Sequence, residues 1–431
     1  MNLMMMLYML GVLEMLNVHG LERLASNQNP IGICNGRVAD NLPPAEAVIN
    51  LYKTNGIMRM RIYDPDPETL KALRGSNIEL VVGLPNELIQ SIATNAAEAT
   101  KWVQNNIQTY AQHVKFRYIV VGNEIMPNDA AAQFVAPAMQ NIYVALANFN
   151  LHGQIKISTA IQLGLLGSSY PPSEGAFSPT ASSYMNPILS FLVTNEAPLL
   201  ANLYTYFSYI GNPNDISLDY ALFTSPKVVV QDGKYEYQNL FDASLDALYA
   251  ALEKSGAPNL EVVISESGWP SYGANAATVE NANIYYGNLV KHVQFGSPKR
   301  PNQPLETYLF ALFDENKKEF AETERHFGLF HPNMEPKYQL GLESISNAYN
   351  ATSPNSYNAI NPIAHDATSP NVHDATSSIV YYATSPNTFD ATSSNEYDPT
   401  GLNEFNKGIR NLSCIVFLSQ VAPIVLNVEN G

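Results

Sequence analysis

Eight short runs suited to buried strands recur along this chain, and each is followed by a segment of helical periodicity. They read IGICN (31–35), IMRMRIY (57–63), IELVVGL (78–84), FRYIVVG (116–122), IKISTA (155–160), LLANLYTYF (199–207), LEVVISE (260–266) and TYLFALFD (307–314). Helices are expected at 43–54, 96–110, 134–149, 241–255 and 279–293, where apolar residues return at i, i+3 and i+4. Runs that are apolar on both faces belong to strands covered on both sides, as in parallel sheets under helices. Eight such units favour an α/β fold of the closed (β/α)8 TIM barrel type over an open doubly wound sheet. In a barrel of this kind the chemistry belongs at the C-terminal ends of the strands. The long sixth connection carries VVVQDGKYEY from Val228, which reads as a hairpin turning at Asp232-Gly233.

The two ends of the chain are of different character. Residues 1–27 hold an apolar run followed by small residues, the outline of a signal peptide, although Glu14 interrupts the run and no Lys or Arg precedes it. Residues 28–342 form the expected barrel domain. Residues 343–431 form a tail in which octads such as ATSPNVHD and ATSPNTFD repeat without a steady apolar position, so a mostly disordered repetitive tail is expected. The two N-x-Ser/Thr sites, at Asn350 and Asn411, lie in this tail and suit glycosylation of a secreted chain.

Composition narrows the partners. The 431 residues are 46% hydrophobic and 14% charged, with a formal net charge of −16. Such a balance argues against nucleic acid and anionic membrane surfaces, and no uninterrupted apolar stretch reaches the roughly 20 residues of a membrane span. Cys34 and Cys414 stand far apart and offer neither a disulfide framework nor a zinc spacing. A soluble monomer acting on a neutral ligand is expected.

The fourth run ends VVGNE and the seventh VVISE, which brings Asn123, Glu124 and Glu266 to the same rim of a closed barrel. Two carboxyls flanking one bond are what glycoside cleavage requires, one to protonate the leaving oxygen and one to attack or steady the sugar cation. Hydrolysis at a metal usually adds His or several Asp, and no run ends in His, so no metal is expected. Tyr63, Tyr204, Tyr206 and Trp269 supply rings of the kind that stack on sugar faces. The stretch FDENKKEFAETERHFGLF brings Glu315, Lys318 and Glu324 to the same end.

RIYDP at Arg61, VGNE at Val121, ISESGWPS at Ile264, FDENKK at Phe313 and ERHFGLF at Glu324 occur in this order on these runs. Together they resemble glycoside hydrolase family 17, the family of plant endo-1,3-β-glucanases, over residues 30–340. The resemblance implies a retaining endo-hydrolase of 1,3-β-glucans such as callose or fungal wall glucan, working without metal or organic cofactor. It implies that Glu124 is the acid/base and Glu266 the nucleophile. Tyr63, Asn123, Glu315, Lys318 and Glu324 match positions lining the catalytic subsite. It further implies a route to the cell wall or vacuole through the secretory pathway. Asn35 stands where the family usually has Tyr, and Thr205 where it often has Pro. Two alternatives stay open: a 1,3-1,4-β-glucanase using the same acids, and a non-catalytic glucan-binding wall protein.

Overall fold

The computed structural model of the protein describes residues 29–340. The signal segment, the octad tail, both N-x-Ser/Thr sites and Cys414 lie outside the described residues. Eight parallel strands close a barrel: β1 Ile31–Cys34, β2 Arg59–Ile62, β3 Glu79–Leu84, β4 Lys115–Asn123, β5 Lys156–Gln162, β6 Leu199–Asn202, β7 Val262–Ser267 and β8 Thr307–Leu309. Each pairs with its sequence neighbour, and β8 returns to β1 through Ile31 opposite Thr307 and Ile33 opposite Leu309.

Burial divides the strand residues by face. Met60, Ile62, Leu80 and Val82 belong to the large apolar layer shared with the surrounding helices. Val81, Val120, Leu200 and Val263 belong to a second cluster with Cys34, Tyr118 and Tyr308. That second set is not purely apolar in its surroundings. On alternate residues of β2, Arg59 and Arg61 are also buried, each paired with a carboxylate. Arg59 and Arg117 share Glu79, and Arg117 also holds Glu306 at 2.6 Å, near the N-terminal ends of the strands. Arg61 serves the opposite end.

Helices form where the periodicity places them, with local caps at several starts. Asp66 accepts from Thr69 N at 2.8 Å at the head of Pro67–Ala72, and Asn239 accepts from Asp242 N at 2.8 Å at the head of Leu240–Lys254. The expected helix at 96–110 is regular only over Ala96–Val103 and continues as a wider turn at Gln104–Gln108. The hairpin is present, as Val230–Asp232 against Tyr235–Tyr237, but its two-residue loop is Gly233-Lys234, one position on from the expected turn. Gly233 has φ +59°, which glycine adopts at no steric cost. A second ribbon, Leu166–Ser168 with Ala176–Phe177, was not anticipated.

The sixth run is shorter as a strand than its apolar length suggests. Strand β6 stops at Asn202, and Thr205–Gly211 is helical. An apolar run alone does not separate buried strand from buried helix. The break is fixed locally: Thr205 donates its hydroxyl to Ala221 O at 3.0 Å, and Tyr206 donates to Asn275 O at 3.1 Å.

Candidate active site

The two rim carboxyls are aimed by irregularities at the ends of their strands. Pairing of β4 with β5 shifts register between Val120 and Asn123, and pairing of β7 with β6 shifts between Ile264 and Glu266. Such bulges redirect the side chains that follow them. Gly122 has φ +88° and Glu124 itself has φ +55°, a left-handed conformation that costs a non-glycine residue about 1 kcal/mol or more. The Glu124 N–H is still satisfied, donating to Ala160 O at 2.8 Å. The surrounding ladder therefore holds the strained residue in place.

Glu266 is buried and surrounded by donors. Its Oε1 accepts from Arg61 Nη1 at 3.0 Å and from Tyr63 Oη at 2.7 Å, and its Oε2 accepts from Tyr204 Oη at 2.8 Å. The Arg61 side chain is only 2% exposed, and it also donates to Ser265 O at 2.7 Å and to Asn123 Oδ1 at 2.7 Å. Asn202 connects this assembly to the other acid. Its Oδ1 accepts from Ser265 Oγ at 2.7 Å and Arg61 Nη1 at 3.2 Å, which turns its Nδ2 toward Glu124 Oε1 at 2.9 Å. Glu266, Arg61, Asn202 and Glu124 thus form one continuous chain of hydrogen bonds. The two carboxyls share a single environment.

Their chemistry is nevertheless unequal. Burial pushes the Glu124 carboxyl up to about 7, and the charge of Glu266 pushes it the same way, while Asn202, Arg61 and Lys318 act in opposition. Glu124 therefore keeps a proton through mildly acidic conditions. Glu266 accepts on both oxygens from Arg61 and two tyrosines, an arrangement suited to a nucleophile.

Two further carboxyls, Glu315 and Glu324, lie close enough to act on these. Lys318 Nζ stands 3.8 Å from Glu315 Oε2, 4.0 Å from Glu324 Oε2 and 4.7 Å above the Phe310 ring. Phe310 packs edge-on against both Tyr63 and Tyr204, which joins the cluster to the surroundings of Glu266. Gly36 leaves room for the Glu315 carboxyl, which a Cβ at that position would displace.

Two expected sugar contacts need correction. Tyr206 and Trp269 are both 0% exposed and cannot meet a ligand in the cleft. Their rings pack at 5.0 Å in an edge-on pair, and Trp269 Nε1 donates to Ala276 O at 2.9 Å, so Trp269 braces the loop that follows Glu266. Tyr63, Asn123 and Tyr204 are half-buried at the rim, and Tyr63 and Tyr204 reach the site through their hydroxyls. Asn35 is buried and donates its backbone N–H to Arg61 O at 2.8 Å.

Sequence reasoning missed Arg61, Asn202 and Asn86. Asn86 brackets the backbone of Asn123, donating to its O and accepting from its N–H, both at 2.9 Å. A usable signal existed for Arg61, since a charge inside a strand buried on both faces requires a partner in the barrel. Among the described residues, no group of three or more His, Cys, Asp and Glu is placed to hold a metal ion. No described helix is long and apolar enough to cross a membrane.

The model of glycosyl hydrolases family 17 matches residues 31–342. A glucan endo-1,3-beta-glucosidase of Vitis vinifera is 60% identical over 313 residues, which are 72% of this chain and 91% of the relative. A basic vacuolar isoform of the same enzyme from Nicotiana plumbaginifolia is 51% identical, over 75% of this chain and 89% of its own. A solved structure, described as one of two plant beta-glucan endohydrolases with distinct substrate specificities, superposes with a TM-score of 0.70 at 44% identity. It spans 72% of this chain and 99% of its own.

Proposed function

The chain belongs to glycosyl hydrolase family 17, and from that footing we propose that it is a retaining endo-hydrolase of 1,3-β-D-glucosidic linkages. Glu124 delivers its proton to the glycosidic oxygen while Glu266 attacks the anomeric carbon, and a covalent glycosyl ester forms on Glu266. Glu124, now ionised, then takes a proton from the incoming water, which displaces Glu266. The observation that supports this division of labour is the hydrogen-bonded chain between two carboxyls of unequal character. Asn123, whose Oδ1 is held by Arg61, leaves its Nδ2 for the hydroxyl beside the reacting carbon. Glu315 and Lys318 line the same subsite.

The substrate is a neutral glucan, in keeping with a chain of net charge −16 that draws on no phosphate or lipid charge. The secretory route, ending in the wall or the vacuole, accords with the leader-like segment and with a relative named as a vacuolar isoform. Digestion of a linear 1,3-β-glucan, followed by product size, tests the assignment. Rapid appearance of mixed oligosaccharides supports it, and release of glucose alone contradicts endo-action.

A 1,3-1,4-β-glucanase is the second reading, favoured by one observation: the 44% identical structure is described as one of a pair differing in specificity. Parallel digestion of a mixed-linkage glucan separates the two. A passive glucan binder would degrade neither.

A further inference from the structure

Glu324 is a buried carboxyl that the division of labour above leaves without a task. Its Oε1 is buried and has no hydrogen-bond partner, and its Oε2 is 4.0 Å from Lys318 Nζ, beyond hydrogen-bond distance. Glu315, on the other side of the same lysine, is served better. Its Oε2 lies 3.8 Å from Lys318 Nζ and its Oε1 accepts from Val38 N at 2.8 Å. A buried ionised carboxylate needs donors on both oxygens, whereas a neutral carboxyl tolerates one dry oxygen at far lower cost. Arg325 and His326, its neighbours in sequence, are engaged with Glu322. The charged groups that act on Glu324 are Lys318 on one side and Glu266, Glu124 and Glu315 on the other.

We propose that Glu324 is a positioning residue that carries a proton in the active enzyme, and that it titrates together with Glu124 as one coupled pair. The proposal rests on the assignment of Glu124 as acid/base. Burial pushes Glu324 up to about 7, close to the value of Glu124, which agrees with the geometry. With both carboxyls protonated, the charges of Glu266 and Glu315 face those of Arg61 and Lys318 and the cleft is balanced. As pH rises, a charge on Glu324 makes the Glu124 proton harder to remove. The coupling thereby extends activity to higher pH than Glu124 alone allows.

The test compares pH profiles of kcat/KM on a 1,3-β-glucan for the parent, Glu324→Gln and Glu324→Ala. Glutamine keeps the shape of the neutral acid and removes the charge. The alkaline limb of Glu324→Gln is expected to move to lower pH by roughly half a unit to one unit, with a loss of activity below about tenfold at the optimum. Glu324→Ala is expected to move the limb equally and to lose about a hundredfold, because Lys318 loses one of the two carboxyl groups beside it and a void opens there. A limb that stays in place or moves upward in Glu324→Gln overturns the coupling. A glutamine variant as damaged as the alanine variant overturns the neutral state. Glu124→Gln, measured alongside, distinguishes the two levels: if it retains parental turnover, the acid/base assignment itself fails, whatever Glu324 does.

Discussion

The polar contacts of the cleft converge on Arg61. Its guanidinium meets Glu266, Asn123, Asn202 and the Ser265 carbonyl, and lysine has one head group where these need a planar fork. Glu266 depends on it for orientation. Arg61→Lys is therefore expected to lower kcat/KM by about a hundredfold with a smaller change in KM, as steady-state kinetics would show. An effect on KM alone would mean that Arg61 only shapes the cleft. Protonation also leaves a trace in stability. Glu124 has its carboxyl raised from 4.5 to about 7, so the folded state prefers the protonated form; the stability this group contributes is full below pH 4.5 and is lost as pH rises through about 7. Glu124→Gln should accordingly gain stability relative to the parent near pH 8 compared with pH 4, by on the order of 1–3 kcal/mol in chemical denaturation. Equal differences at both values would show that burial does not perturb the group. The acids were legible in the sequence because each closes an apolar run; Asn202 also closes one, yet a lone Asn after LLA reads equally well as a turn residue. Trp269 and Tyr206 misled for a related reason: aromatic type does not reveal whether a ring faces a cleft or a loop behind it.

At the scale of elements, the strands were legible in number and order, and their lengths were not. Strand β8 spans only Thr307–Leu309 although the apolar run continues to Phe313: Phe310 N makes the last ladder bond, to Ser267 O of β7, and Ala311 N then turns away to Phe327 O. Side-chain type cannot report where a backbone changes partners. The inserted hairpin of the sixth connection shows how a loop is held to the body. Asp246, buried in the helix Leu240–Lys254, accepts from Tyr237 Oη at 3.1 Å, from Ser297 Oγ and from Lys299 N at 2.9 Å. Asp232 in turn accepts from Ser173 N at 2.7 Å, tying the hairpin to the fifth connection. Asp246→Ala strands three donors, two of them buried, and is expected to cost about 2–3 kcal/mol in chemical denaturation. A loss under about 0.5 kcal/mol would mean that the hairpin is held by packing alone.

For the molecule as a whole, the site exists only because the barrel closes. Glu124 and Glu266 are 142 positions apart and come from strands separated by β5 and β6, so neither half of the chain contains the pair. Closure through β8 and β1 sets the register on which both depend. Composition indicated a neutral ligand, and the ordered motifs indicated a family; what no linear reading supplied was the hydrogen-bonded bridge that makes two carboxyls into one device. The central claim is that these two acids divide proton transfer and nucleophilic attack between them. Azide rescue on an activated 1,3-β-linked substrate tests it most directly, because the configuration of the glycosyl azide identifies the group removed. The account predicts an α-azide from Glu266→Ala, where azide enters the vacated face, and a β-azide from Glu124→Ala, where it opens the covalent intermediate. A β-azide from Glu266→Ala, or an α-azide from Glu124→Ala, would contradict the assignment.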